Sequence, residues 1–86
     1  MTVEWLSVLP GTGTAPELTA PDLLALTSDP EVLEAGAGIE TSSGQDASGQ
    51  RRYRLRVSHD EAETVALTRD ALMRAGRRLR LRVFLV

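Results

Sequence analysis

Two short segments of this chain alternate arginine with an apolar residue. The arginines are Arg52, Arg54 and Arg56 in the first segment and Arg78, Arg80 and Arg82 in the second. A guanidinium group binds carboxylates and phosphates through parallel hydrogen bonds. Side chains on a strand point alternately to opposite faces, so each segment should present an arginine row on one face and an apolar row on the other. These rows could therefore bind an acidic protein surface or a nucleic acid.

Charge is segregated along the chain. All ten basic residues are arginines and lie in residues 51–86, beside four acidic residues, whereas residues 1–50 hold eight acidic residues and no basic one. The two parts carry +6 and −8, which sum to the formal net charge of −2. A near-neutral total therefore conceals a strong charge asymmetry, and the absence of lysine is typical of translation from a GC-rich genome.

Other residues that could do chemistry form weak patterns. His59 stands between Ser58 and Asp60, but a catalytic triad needs convergence in space and not adjacency in sequence. Gly11 and Gly13 precede a predicted helix without the rest of a phosphate-binding motif or its lysine. The chain has no cysteine, which excludes a disulfide framework and a thiolate metal site. We therefore expect no enzymatic activity, no cofactor and no metal.

The elements that position the arginines can be read from periodicity and from helix-stop residues. Strands are predicted at 3–9, 39–41, 51–57 and 77–86, and residues 42–50 are predicted to form a polar hairpin loop. A helix is predicted from Pro21, followed by a short helical turn that Asp29 caps and Gly36 ends. A longer helix is predicted from 62 to Ala75, with a capping box of Ser58 and Glu61 at its start and Gly76 as its stop.

The resulting order is β-α-β-β-α-β in one domain spanning residues 1–86. Two strand–helix–strand units in tandem predict an α+β fold, the ferredoxin-like βαββαβ sandwich, with two helices on one face of a four-stranded antiparallel sheet. In that topology the first and third strands are central and the fourth is an edge. The apolar row should lie under the helices, and its members are Tyr53, Leu55, Val57, Leu79, Leu81 and Val83.

The arginine face then has three interpretations: a solvated surface with local ion pairs, a docking surface for an acidic protein or a second copy, or a nucleic-acid surface. Sheets of this topology that bind RNA use outward aromatic side chains on which bases stack. Exposure of Tyr53 or Trp5 beside the arginines would therefore favour nucleic acid, and burial of both would favour protein. The sequence pI near 5.3 weighs against a nucleic-acid binder.

The last predicted strand is apolar in both registers from Val83 to Val86, whereas a half-exposed strand should alternate. An apolar edge strand tends to pair with another chain. We therefore predict a bacterial, non-catalytic protein-interaction module that self-associates as a homo-oligomer or docks on a larger protein, with nucleic-acid binding as the alternative. The predicted partner-binding residues are the six arginines of the two rows together with Phe84 and Val86.

Without a secretory signal or a long apolar run, we expect a soluble cytoplasmic protein that does not bind membranes.

Overall fold

The computed structural model describes residues 1–10, 18–45, 47, 49 and 51–86. These residues form four strands and three helices, in the order β1 (Thr2–Pro10), α1 (Ala20–Thr27), α2 (Pro30–Ala35), β2 (Gly38–Gln45), β3 (Arg51–His59), α3 (Ala62–Arg78) and β4 (Leu81–Leu85). The strands make one antiparallel sheet in the order β2-β3-β1-β4. The predicted ferredoxin-like α+β sandwich is thus confirmed, with β1 and β3 in the centre and β4 at an edge.

Local signals define the starts of α1 and α2. Thr19 caps α1 through a capping box in which its hydroxyl accepts from the Asp22 N–H at 3.4 Å and the Asp22 carboxylate accepts from the Thr19 N–H at 3.0 Å. Asp29 caps α2 as predicted, because its carboxylate accepts from the Glu31 N–H at 3.0 Å. Gly36 ends α2 with φ +95°, a left-handed conformation that glycine adopts at little cost.

The core lies between the helices and one face of the sheet. The buried apolar side chains that form it are Leu6, Val8, Leu18, Leu26, Val32, Leu55, Val57, Val65, Ala71, Leu72 and Ala75. Leu55 and Val57 face the helices as predicted. On β1, the buried Leu6 lies opposite Leu55 and the buried Val8 lies opposite Tyr53. Because alternate residues of a strand point to opposite sides, the residues between these positions form the sheet face that points away from the helices, which we call the open face.

The predictions for the end of β2, the end of α3 and the cap of α3 were wrong. Strand β2 continues to Gln45, through residues assigned to a loop, because its backbone pairs with β3 as far as Arg51. Helix α3 passes through Gly76 and ends at Arg78, so β4 begins only at Leu81. The capping box at the start of α3 is also absent, because Ser58 is paired within the sheet, and the N-cap is Glu61 without a side-chain hydrogen bond.

Candidate functional site

The open face is built from alternate residues of all four strands. Its members are Glu40, Ser42 and Gly44 on β2, Arg52, Arg54 and Arg56 on β3, Val3, Trp5, Ser7 and Leu9 on β1, and Arg82 and Phe84 on β4. The register places Trp5 directly opposite Arg56 and Ser7 between Arg54 and Phe84. Aromatic and guanidinium groups therefore share one surface.

Two of the six predicted arginines do not belong to this face. Arg78 is the last residue of α3, and Arg80 lies in the turn before β4 with φ +59°. Leu79, predicted to lie under the helices, is the C-cap of α3 and is exposed. The alternation of arginine and leucine predicted a strand here. Instead, α3 continues for three residues past Ala75, so that Arg78 is in the helix and Leu79 is its C-cap. The structure leaves Arg52, Arg54, Arg56 and Arg82 on the open face.

Ion pairs join the acidic first part of the chain to the arginine-rich second part. Among the described residues, the pairs that do so are Arg69–Glu4 (3.1 Å), Arg78–Asp29 (2.7 Å), Arg74–Glu31, Arg78–Glu31 (3.5 Å) and Arg56–Glu40 (3.5 Å). Glu4 lies on the helix side of β1, where Arg69 of α3 reaches it. The charge asymmetry in the sequence is therefore partly neutralised within the fold.

One of these contacts ties the N-cap of α2 to the end of α3. Arg78 donates a hydrogen bond to the Asp29 carboxylate, and this bond holds the pKa of Asp29 below its usual value. The same contact raises the pKa of Arg78 above its already high value. The charge-assisted hydrogen bond gives Arg78 a structural role at a position where the sequence predicted a partner-binding one.

The electrostatic character of the open face is set by the arginines that lack such contacts. Arg56 is near Glu40, but neither Arg54 nor Arg82 has a carboxylate within ion-pair distance among the described residues. Both side chains are exposed. The centre and the β4 side of the open face are therefore positively charged.

Aromatic exposure on this face is the feature that the sequence left open. Trp5 is 44% exposed beside Arg56, and Phe84 is 42% exposed beside Ser7. Tyr53 is half-buried on the opposite side, where it packs against the core. The apolar residues of β1 occur in both registers, so alternation alone could not decide which row Trp5 would join.

Strand β4 presents its outer backbone edge as well as apolar side chains. The Val86 N–H donates to the Trp5 carbonyl at 3.1 Å, which extends the β1–β4 ladder one residue past Leu85. Because backbone groups alternate in direction along an antiparallel strand, those of Val83 and Leu85 point away from β1. Leu85 is 49% and Val86 68% exposed. These two residues, together with Val3, Glu4, Trp5 and Arg54, line a groove of about 430 Å³.

The weaker chemical patterns have the following placements. The His59 Nδ1 accepts a hydrogen bond from the Glu61 N–H at 3.0 Å, which stabilises the turn before α3. Gly11 and Gly13 lie outside the described residues. Among the described residues, no group of three or more His, Asp and Glu side chains is placed to hold a metal ion. None of the helices in the described part of the chain is both long and apolar enough to cross a membrane.

Comparison of this chain with models of protein families, with curated proteins and with solved structures gave no match.

Proposed function

We propose that this chain is a non-catalytic protein-interaction module that binds through β4 and the adjoining open face, either to a second copy or to a larger protein. The observation that carries the proposal is the state of β4, which combines an outward-facing backbone edge with exposed Phe84, Leu85 and Val86. An edge strand of this kind is suited to strand addition, in which main-chain hydrogen bonds supply affinity and side chains supply specificity.

The open face adds a second source of specificity. Arg54 and Arg82 lie on the same face of the sheet as the exposed Trp5 and Phe84, and they can bind carboxylates of a partner. Edge strands usually carry charges or bulges that discourage pairing, and in β4 only Arg82 is charged. An apolar centre beside exposed arginines is also typical of protein interfaces.

The test is molar mass in solution, measured by light scattering after size exclusion, for three chains. These are the wild type, Phe84→Asp, and Leu33→Asp as a control, because Leu33 is also a large exposed apolar residue but lies in α2. An oligomer formed by the wild type and the control but not by Phe84→Asp supports the proposal.

If the wild type is a monomer, the same three chains serve as baits for other proteins. A protein retained by the wild type and by Leu33→Asp but lost by Phe84→Asp supports docking on a larger partner. Identical retention by all three chains, or retention by none, contradicts the proposal. Reversal of both Arg54 and Arg82 to Glu then tests the arginines of the open face.

A second candidate, nucleic-acid binding, is favoured by one specific observation, the exposure of Trp5 next to Arg56. An exposed Trp5 beside arginine is the arrangement predicted for nucleic-acid binding and not for protein binding. A base stacked on Trp5 could have its flanking phosphates bound by Arg54 and Arg56, and each stacked base contributes about 1–3 kcal/mol in proteins that bind single strands. The aromatic and basic groups are therefore correctly juxtaposed for this function.

Trp5 is the only tryptophan, so its fluorescence reports directly on this surface. Titration with a single-stranded oligonucleotide should quench the emission, and affinity should fall with salt at a logarithmic slope of about −0.7 for each phosphate neutralised. Arg54→Ala should weaken binding more than Arg77→Ala, because Arg77 is exposed on α3 and away from the open face. Equal effects of the two substitutions, or no quenching at low salt, exclude this candidate.

A further inference from the structure

We infer that the occupant of the β4 edge is a second copy of this chain, paired antiparallel about a two-fold axis at Val83. The inference rests on the proposed function and makes it specific in partner and register. Such pairing would join two four-stranded sheets into one continuous sheet of eight strands. Symmetric interfaces of this kind are the commonest in soluble homo-oligomers.

The backbone of β4 sets which residues can bond across the edge. Because the Val86 N–H points to β1, the groups of Phe84 and Arg82 also point to β1, and those of Leu81, Val83 and Leu85 point outward. A two-fold axis at Val83 opposes the whole strand Leu81–Leu85 to itself. Every outward-pointing residue then faces another outward-pointing residue, so the ladder hydrogen bonds can form along the full strand.

The side chains fit the same register on both faces of the sheet. On the helix side, Leu81 lies opposite Leu85 of the second copy, and Val83 lies opposite Val83, which extends the apolar layer under α3. On the open face, Arg82 lies opposite Phe84 of the second copy. A cation beside an aromatic ring is a favourable cross-strand neighbour. The pairing therefore covers Phe84 and Leu85, which are exposed in the single chain.

The neighbouring registers fit less well. An axis at Arg82 would place two arginines directly opposite each other, which is destabilising. An axis at Phe84 would leave Leu81 without a partner within the strand and would place Arg82 opposite Val86. An axis at Leu81 or Leu85 would oppose less of the strand. The charge pattern and the strand length thus select the same axis.

Cysteine cross-linking can read this register, because the chain has no cysteine of its own. In the proposed register Arg82 and Phe84 of the two copies are directly opposite each other but do not exchange hydrogen bonds. The Cα atoms of such a pair are about 4.5 Å apart, within the range of a disulfide. Residues displaced by two positions across the ladder are about 7–8 Å apart, which is too far. An Arg82→Cys chain mixed with a Phe84→Cys chain, of different mass, should therefore form the mixed disulfide, and neither chain should cross-link to itself.

Because loss of Phe84 can weaken the dimer, a second mixture of Leu81→Cys with Leu85→Cys gives an independent readout of the same register. Mixed disulfides in either mixture, together with a wild-type dimer by light scattering, support the inference. Self-linking of Phe84→Cys would place the axis at Phe84 and overturn it. A dimer with no cross-link in either mixture would also overturn it, since another surface must then mediate association. A wild-type monomer at all concentrations overturns self-pairing, whereas loss of bait binding in Phe84→Asp would still support docking on another protein.

Discussion

Gly76 of α3 lies against Val83 of β4, and its replacement by alanine tests the packing that holds the edge strand in place. A Cβ built at Gly76 would lie 2.6 Å from Val83 Cγ2 and 3.5 Å from the Leu81 carbonyl oxygen. The valine methyl is attached directly to a stiff, β-branched side chain and cannot easily move away. The helix axis would therefore have to shift away from the sheet.

Two opposing effects determine the result of Gly76→Ala. Alanine in a helix interior is favoured over glycine by about 1 kcal/mol, and overpacking a well-packed site costs about 1–3 kcal/mol. Taking the middle of that range, we expect net destabilisation of about 1 kcal/mol, which lowers the melting temperature of a domain of this size by about 4–8 °C. Thermal and urea unfolding followed by circular dichroism measure both quantities.

The control is the same substitution in a Val83→Ala background. Removing the two valine methyl groups leaves Val83 Cβ as the nearest side-chain atom, at 3.4 Å from the built Cβ. Gly76→Ala should then stabilise the fold by about its helix-propensity gain of 1 kcal/mol, so its sign reverses and the coupling energy is about 2 kcal/mol. Stabilisation by Gly76→Ala in the wild-type background, with no coupling to Val83, would refute the close approach.

Three further substitutions have definite expected outcomes. Thr68→Val should destabilise the fold by about 1–3 kcal/mol in urea unfolding. The reason is that the buried Thr68 hydroxyl accepts a hydrogen bond from the Ala37 N–H at 3.2 Å. An unchanged urea midpoint would show that this N–H finds another partner. Asp29→Asn should keep the helix cap but reduce the loss of stability on acidification from neutral pH to below about 4. The reason is that Arg78 lowers the pKa of Asp29, so the stabilisation from the ionised carboxylate is lost as pH falls through that pKa. Acid titrations of the two chains that run parallel would contradict this. Arg80→Gly should stabilise the fold by about 1 kcal/mol, because a left-handed conformation is strained for residues other than glycine; destabilisation in thermal unfolding would contradict that turn geometry.

The features that local chemistry determines could be predicted from the sequence. Alternation identified β3, because Leu55 and Val57 had to share a buried face. The dipeptide of Asp29 and Pro30 identified the start of α2, because it supplies a side-chain acceptor and a fixed φ at the required positions. The topology followed from the order of these elements, since tandem strand–helix–strand units have few ways to pack.

The features that depend on tertiary contacts could not be predicted. Gly76 reads as a helix stop, yet in the fold its missing side chain allows α3 to approach β4. The continuation of α3 then moves Arg78 from the predicted arginine row into an ion pair with Asp29, forty-nine positions away in sequence. No local pattern encodes that contact. The exposure of Trp5 was equally undetermined, because apolar residues of β1 occur in both registers and the face is decided by the packing of Leu6 and Val8 into the core.

The ion pairs within the fold also determine what salt should do to the proposed dimer. If the acidic part of one chain attracted the basic part of another, association would weaken at high salt. In the structure, however, Glu4, Asp29, Glu31 and Glu40 already pair with arginines of their own chain. The groups that remain at the β4 interface are apolar or positively charged, so screening should reduce repulsion without removing attraction. Association through β4 should therefore persist or strengthen as salt is raised, and dissociation by salt would assign the interface to carboxylates elsewhere on the chain.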